Sequence, residues 1–171
     1  LQNIKIFLIG MMGSGKTSVG KRLSKILNLE LIDIDNEIET ITNLSINEIF
    51  ASYGEQKFRE MERSYFAEKS KTAINCIFAT SGGIILDQAC RDILKNERST
   101  FLLDASATVL LERLKKKSSR PLLLGQKDPY KIICDIWERR KALYYESSKH
   151  IVPTDNISVG DVVESIQLTL H

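Results

Sequence analysis

The sequence predicts an α/β domain in which helices cover both faces of a parallel β-sheet. Short apolar runs at residues 4–9 and 73–80 alternate with longer amphipathic segments, and a glycine-rich loop joins the first run to the first helix. Strands that alternate with helices in this way form parallel sheets. The chain has 171 residues, of which 43% are apolar and 27% charged, and this suits a single domain spanning 1–171.

The predicted elements follow one another without internal repeats or an interdomain linker. Ser45 and Glu48 form the pattern of a capping box at a helix start, and Gly54 interrupts the helical pattern that follows. We expect the helices within residues 34–62 to cover a substrate, and the basic segment 114–127 has the composition of a mobile lid. The strands are expected at residues 4–9, 29–33, 73–80, 99–104 and 151–152, and the helices at residues 17–27, 37–41, 45–53, 55–71, 87–96, 106–117, 130–148 and 159–169.

The loop at residues 10–17 has the form GxxxxGK[ST] and lies between a predicted strand and a predicted helix. Its glycines allow consecutive backbone N–H groups to surround a phosphate chain. Lys16 is expected to reach the β and γ phosphates, and the Thr17 hydroxyl is expected to bind Mg²⁺. The sequence therefore predicts a site for ATP with Mg²⁺, and the expected nucleotide-binding residues of the loop are Gly13, Ser14, Gly15, Lys16, Thr17 and Ser18.

Two acids follow the second predicted strand. The strands of a parallel sheet end at one edge, so Asp33 and Asp35 should lie opposite the phosphate loop. Asp33 is the candidate for holding Mg²⁺, because the strand that ends at Thr80 carries no carboxylate. If strand geometry continues, Asp35 lies on the same side and can orient or deprotonate an alcohol that attacks the γ phosphorus. The alternative is that Asp35 only caps a helix beginning near Asn36.

Two arginines add positive charge to this arrangement. Arg59 has Glu55 and Glu62 at helical spacing, so it forms either a surface ion pair or a guanidinium fork for a substrate carboxylate, held in place by Glu62. Arg120 lies in the predicted lid, where a closing loop would bring it to the charge that develops on the γ phosphate. Its alternative is an ordinary solvated basic loop.

The overall composition argues against several other functions. A net charge of +2 is too small for a general nucleic-acid footprint, and no apolar stretch reaches the ~20 residues of a membrane span. The three cysteines are odd in number and lack metal spacing, which favours a reduced compartment. We expect a cytoplasmic monomer without a signal peptide that binds only small molecules, with a plastid location left open.

Together these motifs resemble those of the shikimate kinases, small members of the nucleoside monophosphate kinase-like P-loop group. The likeness extends over essentially the whole chain, in the expected order. The motifs that carry it are the loop at residues 10–17, Asp33-x-Asp35, Phe58-Arg59-x-x-Glu62, Ser81-Gly82-Gly83, Arg120-Pro-Leu-Leu, and Arg140-Lys-Ala-Leu-Tyr144-x-Glu146.

The resemblance implies a reaction and a strand order. The γ phosphate of ATP would be transferred, with Mg²⁺, to the 3-hydroxyl of shikimate, giving shikimate 3-phosphate and ADP in the pathway to chorismate and aromatic amino acids. The implied fold is the three-layer P-loop kinase fold, with a five-stranded parallel sheet in the order 2-3-1-4-5 and a mobile lid.

The resemblance also implies roles for residues on the ATP side. Lys16 and Arg120 match the phosphate-stabilising positions, and Thr17 matches the magnesium ligand. Asp33 matches the acid that acts on magnesium, and Arg113 matches the position that packs on adenine.

Further matches concern the shikimate side. Asp35 matches the residue that binds the shikimate hydroxyls and acts as a base or orienting group. Arg59 and Arg140 match the pair that grips the substrate carboxylate, and Gly82 with Gly83 match its backbone contacts.

Three departures from the family pattern leave other functions open. Ser81 replaces the first glycine of the family triplet, where it either strains a left-handed backbone or adds a hydroxyl contact. The family's Arg-x-Pro-Leu-Tyr reads Arg140-Lys-Ala-Leu-Tyr144 here, and the adjacent Arg139 makes the alignment slightly ambiguous, although Arg140 keeps the spacing to Tyr144 and Glu146. No contacts can be assigned to residues 151–155, where an adenine loop belongs. The alternatives are a related small-molecule kinase of gluconate type and a catalytically impaired protein that binds nucleotide.

Overall fold

The structure, a computed structural model, describes residues 3–115 and 128–170. Its central element is a sheet of five parallel strands. The strands are β1 (Lys5–Ile9), β2 (Glu30–Asp33), β3 (Cys76–Ala79), β4 (Thr100–Asp104) and β5 (His150–Pro153). Their order, β2-β3-β1-β4-β5, confirms the order that the resemblance implied. Neighbouring strands all pair in parallel, so their carboxyl ends meet at one edge of the sheet.

Helices cover both faces of this sheet, most of them within two or three residues of the predicted bounds. They are α1 (Lys16–Leu27), α2 (Ile34–Thr42), α3 (Ile46–Thr72), α4 (Gln88–Asn96), α5 (Ala107–Lys115), α6 (Pro129–Ser147) and α7 (Val159–Leu170), and a short 3-10 helix covers Ile84–Leu86.

The alternation of side chains along β1 divides the core into two layers. Ile6 and Leu8 belong to a buried cluster with residues of α1 and α7, whereas Phe7 and Ile9 belong to a second cluster with residues of α3, α4 and α6. Successive strand residues point to opposite faces, so one apolar run supplies both layers. Phe7 stacks on Phe78 with the ring centroids 4.8 Å apart.

Helix α2 begins directly at the end of β2, earlier than the predicted start at residue 37. The Asp33 side chain accepts a hydrogen bond from the backbone N–H of Asn36 at 3.3 Å and thereby caps the helix. Strand geometry therefore stops at residue 33. The expectation that Asp35 lies on a continued strand is wrong, because Asp35 lies in the first turn of α2.

Helix α3 has the start and the interruption that the sequence predicts. Ser45 Oγ accepts from the N–H of Glu48 at 3.2 Å, and the Glu48 carboxylate accepts from the N–H of Ser45 at 2.7 Å. The helix is kinked at Gly54, whose φ of 79° and ψ of 167° are accessible almost only to glycine. The part of α3 after the kink carries Arg59 and Glu62.

The predicted lid at residues 114–127 lies almost wholly outside the described part of the chain. Helix α5 is described as far as Lys115, and the described residues resume at 128. Arg120 falls between these points, so its expected action on the γ phosphate stays a prediction.

The state of the three cysteines relates to the expected reducing compartment. Cys76 and Cys90 are buried, Cys134 is partly buried, and all three thiols are free. Burial raises the pKa of Cys76 to about 11, and the pKa of Cys90 is raised further by the same cause.

Within the described residues, no helix combines the length and the apolar character needed to cross a bilayer.

Candidate active site

The phosphate loop opens into a cavity of about 540 Å³ at the carboxyl edge of the sheet, here called the phosphate-loop cavity. Its lining includes residues 12–19 together with Asp33, Asp35 and Arg113. Gly10 allows the sharp turn at the end of β1, because it has a φ of 143° and a Cβ there would lie 2.6 Å from the carbonyl oxygen of Leu103. The volume falls in the range of small-molecule sites.

Lys16 lies almost buried beneath this loop, with 8% of its surface exposed. Its Nζ donates to the carbonyl oxygens of Gly10 at 2.7 Å and Met11 at 2.9 Å. The charged end of the lysine is thus held inside the curve of the loop, where the predicted phosphates would bind.

Thr17 and Asp33 are in direct contact at the mouth of this cavity. The Thr17 hydroxyl donates to Asp33 Oδ2 at 2.7 Å, which brings together the two side chains predicted to hold magnesium. Mg²⁺ prefers oxygen ligands and is usually held by one or two protein groups plus phosphates and water, so this pair fits it. No cluster of three or more His, Cys, Asp or Glu side chains with metal-binding geometry occurs among the described residues.

A second, smaller cavity of about 50 Å³ lies next to the first and is called the arginine cavity. It is lined by Met12, Asp35, Ile46, Phe50, Phe58, Arg59, Ser81, Gly82, Gly83 and Arg140. Asp35 lines both cavities. Since a water molecule occupies about 30 Å³ in the liquid, the side chains around the arginine cavity must move to admit an organic ligand.

Arg59 is fixed on the wall of the arginine cavity by two carboxylates of its own helix. Its Nη1 donates to Glu62 Oε2 at 2.9 Å and its Nη2 to Glu55 Oε1 at 3.0 Å. The Glu62 side chain is 3% exposed, whereas that of Glu55 is 43% exposed. Arg59 therefore does more than form a surface ion pair, because its guanidinium neutralises a buried carboxylate beside a cavity.

The charge of Glu62 depends on this arginine. Burial raises the pKa of Glu62 to about 7, and the neighbouring Arg59 opposes the rise. Asp35 adds a smaller rise and Arg140 a smaller opposing effect, so Glu62 is electrostatically linked to several groups around the cavity. Arg59 keeps its charge, since the two carboxylates outweigh the effect of burial and raise its pKa.

Arg140 reaches the arginine cavity from α6, on the side opposite α3. Its Nη1 donates to the carbonyl oxygen of Gly82 at 3.2 Å, and the Tyr144 hydroxyl donates to the same oxygen. The neighbouring Arg139 is exposed and donates to the backbone of its own helix. The structure thus places Arg140 at the cavity and Arg139 away from it.

Arg113 lines the phosphate-loop cavity from α5 and also contacts the loop, since its Nη1 lies 3.4 Å from the Ser14 carbonyl oxygen. Its Nη1 donates to Thr154 Oγ1 at 3.0 Å, and its Nη2 donates to the Thr154 carbonyl at 2.6 Å. The lining of this cavity also includes three apolar side chains that the sequence did not predict, Ile157, Val159 and Val162, here called the apolar wall. Ile157 and Val159 are exposed in the structure, but exposure cannot be read from the sequence and these residues carry no motif.

A family model for shikimate kinase matches residues 12–171 of this chain. The chain belongs to the shikimate kinase family. Members of this family are ATP-dependent phosphotransferases that act on an alcohol group.

Individual shikimate kinases are similar over most of the chain. One from Thermodesulfovibrio yellowstonii is 37% identical over 94% of this chain and 91% of its own length. The solved structure of a shikimate kinase from Acinetobacter baumannii in complex with shikimate is 32% identical, with a TM-score of 0.93 over 99% of this chain and 94% of that one. A bifunctional shikimate kinase/3-dehydroquinate synthase of Thermotoga maritima is 43% identical over 84% of this chain, which spans 28% of that longer protein.

The packing around the arginine cavity predicts the effect of a substitution at Gly83 in this shikimate kinase family member. A Cβ at Gly83 would lie 2.1 Å from Arg59 Nη1, so Gly83→Ala must push the guanidinium away from Glu62. Loss of this neighbour should raise the pKa of Glu62 well above 7, which NMR titration of the carboxyl carbon measures. The melting temperature should also fall, most strongly above pH 7, because the ionised Glu62 carboxylate stays buried without the charge that offsets its burial.

The matched control for this prediction is Gly160→Ala in α7. A Cβ there would lie 3.1 Å from the guanidinium of Arg22, outside the arginine cavity. This variant should leave the titration of Glu62 unchanged. An unaltered Glu62 pKa in Gly83→Ala would contradict the packing described here.

Proposed function

We propose that the protein transfers the γ-phosphoryl group of ATP to the 3-hydroxyl of shikimate, giving shikimate 3-phosphate and ADP. The observation that carries this proposal is the position of Asp35, which lines both the phosphate-loop cavity and the arginine cavity. A nucleotide in the first cavity and a hydroxylated carboxylate in the second would meet at this carboxylate.

ATP would occupy the phosphate-loop cavity. Backbone N–H groups of Gly13, Ser14 and Gly15 and the start of α1 would face its phosphates, with Ser18 in the first turn of that helix. Lys16 would exchange its bonds to two loop carbonyls for bonds to phosphate oxygens.

Magnesium would be held at the contact between Thr17 and Asp33. When bound, Mg²⁺ neutralises charge on the phosphate oxygens and so favours attack at phosphorus. The Thr17 hydroxyl supplies one oxygen, and Asp33 keeps that hydroxyl oriented. Arg113 and the apolar wall, which also line this cavity, would hold the adenosine.

Shikimate would occupy the arginine cavity. Arg59 and Arg140 present guanidinium groups that suit a carboxylate, and Glu62 keeps Arg59 in position. Backbone at Gly82 and Gly83 would contact the ring. With the carboxylate bound by the arginines, a ring hydroxyl would face Asp35 and the phosphate-loop cavity beyond it.

In the reaction, the hydroxyl oxygen of the acceptor forms a bond to the γ phosphorus while the bond from that phosphorus to the β–γ bridging oxygen breaks. Asp35 accepts a hydrogen bond from the hydroxyl and receives its proton as the new bond forms. The leaving electron pair stays on the β phosphate of ADP. Arg120 would stabilise the charge on the transferring group, in line with its predicted role.

The proposed setting is the cytoplasm, which three free thiols support because such thiols persist in reducing compartments. A monomeric state remains a prediction. The two alternative functions have less support, since the similar proteins named above are shikimate kinases rather than gluconate kinases. An impairment caused by strain at Ser81 also lacks support, because this residue is absent from the described non-glycine residues with positive φ.

An acceptor panel tests the proposed function. Purified protein with ATP and Mg²⁺ should release ADP when shikimate is added, and should remain near background when shikimate is omitted or replaced by gluconate. Lys16→Ala serves as the control for contaminating kinases, and it should show no shikimate-dependent release. Equal or faster turnover with gluconate, or no turnover with shikimate, would refute the proposal.

The titration of Glu62 predicts how acceptor binding depends on pH. As the pH falls through about 7, Glu62 takes up a proton and Arg59 loses its buried charge partner, so the KM for shikimate should rise several-fold. The free energy of unfolding should rise over the same fall in pH, even though acceptor binding becomes weaker. Folded Glu62 holds its proton more tightly than the unfolded chain does, so its stabilising contribution is present at low pH and lost as the pH rises through about 7.

Two variants separate Glu62 from other titrating groups. Glu62→Gln stays neutral, so its KM should be raised and nearly independent of pH over this range. Glu55→Gln removes the exposed partner of the same arginine and should retain the pH dependence of the unmodified protein. A flat KM in the unmodified protein, or the same slope in Glu62→Gln, would contradict this assignment.

A further inference from the structure

Ser81 lies in the loop after β3, between the strand and the 3-10 helix, at the position where the family triplet has its first glycine. The described non-glycine residues with positive φ are all asparagines, so Ser81 does not have the left-handed backbone that would favour glycine. Its side chain is therefore compatible with the local backbone. The question is what the hydroxyl does.

The Ser81 hydroxyl is buried without a hydrogen-bond partner among the described residues. The residue is 4% exposed, and its Oγ has essentially no contact with solvent. The neighbouring Thr80 differs, because its Oγ1 donates to the Leu8 carbonyl at 3.0 Å and so has a structural bond. An unsatisfied buried hydroxyl destabilises a folded protein, so it calls for an explanation.

The surroundings of Ser81 point to a ligand. Ser81 lines the arginine cavity together with Asp35, Arg59 and Arg140. The arginines suit the carboxylate of an acceptor, and Asp35 suits one of its hydroxyls, but a polyhydroxylated ring carries further hydroxyls. A serine Oγ can both donate to and accept from such a group.

We propose that Ser81 is a binding and specificity-determining residue. Its Oγ is sealed from solvent in the acceptor-free protein, is uncovered when the side chains of the arginine cavity move to admit the acceptor, and then hydrogen-bonds a ring hydroxyl of that acceptor. This inference rests on the proposed function and extends it. The unsatisfied hydroxyl lowers the stability of the acceptor-free protein and regains its missing bond when the acceptor binds. Ser81 discriminates among acceptors, because an analogue without the matching hydroxyl leaves the serine unsatisfied in the complex.

The test combines Ser81→Ala with acceptor analogues that each lack one ring hydroxyl. For shikimate, Ser81→Ala should raise the KM about threefold to tenfold, as expected for loss of one neutral hydrogen bond, while the KM for ATP stays the same. The melting temperature of the acceptor-free variant should be unchanged or higher. One analogue should bind Ser81→Ala and the unmodified protein equally well, because it lacks the hydroxyl that Ser81 recognises.

Ser147→Ala is the matched control. Ser147 Oγ is also buried and without a partner among the described residues, but Ser147 does not line the arginine cavity. Its variant should therefore leave the KM for shikimate unchanged. A rise in KM there equal to that of Ser81→Ala would indicate a general packing effect and overturn the inference.

Two other results would overturn the proposal for Ser81. One is a KM for shikimate within twofold of the unmodified value in Ser81→Ala, and the other is an equal loss for shikimate and every analogue. Failure of the proposed function is distinguishable from both, because in that case the unmodified protein itself would not phosphorylate shikimate.

Discussion

The site depends on one buried carboxylate at the end of β2. Asp33 is 7% exposed, and it accepts from the Thr17 hydroxyl at 2.7 Å and from the Asn36 N–H at 3.3 Å. The first bond ties Asp33 to the start of α1 and the phosphate loop, and the second starts α2. Because α2 begins where β2 ends, Asp35 is held in the first helical turn, where it borders both cavities.

The arginine cavity has a different physical basis, which is the mutual dependence of buried charges. Without Arg59, burying the ionised Glu62 carboxylate would destabilise the folded protein, and the raised pKa of Glu62 reflects this unfavourable free energy. Arg59 offsets it and is in turn held in one orientation by the carboxylate. Arg140 is fixed independently from α6 through the carbonyl of Gly82. Hydrogen bonds thus hold both guanidinium groups at the wall of the arginine cavity in the described structure.

Local sequence predicted those parts of the site that depend on local structure. The phosphate loop follows from its glycines and Lys16, and the proximity of Thr17 and Asp33 follows from strands that end at one edge. The capping box at Ser45 and the helix interruption at Gly54 were also predicted from the sequence, because both depend on residues close in sequence.

Features that depend on distant residues were predicted less well. The geometry of Asp35 was wrong because Asp33 took the role of helix cap. Arg140 was favoured over Arg139 by its spacing to Tyr144 and Glu146, but its contact with the Gly82 carbonyl depends on how α6 packs against that loop. The apolar wall was missed, since its residues lie at and just before a helix near the end of the described chain and carry no motif.

In the proposed mechanism, Asp35 serves the acceptor and not the nucleotide. Asp35→Asn keeps the size of the side chain but removes its charge and its capacity to take a proton. Calorimetry should give a dissociation constant for a non-hydrolysable ATP analogue within about twofold of the unmodified protein, while kcat with shikimate falls by about a hundredfold or more. Near-normal turnover, or a loss of nucleotide binding as large as the loss of turnover, would contradict the account.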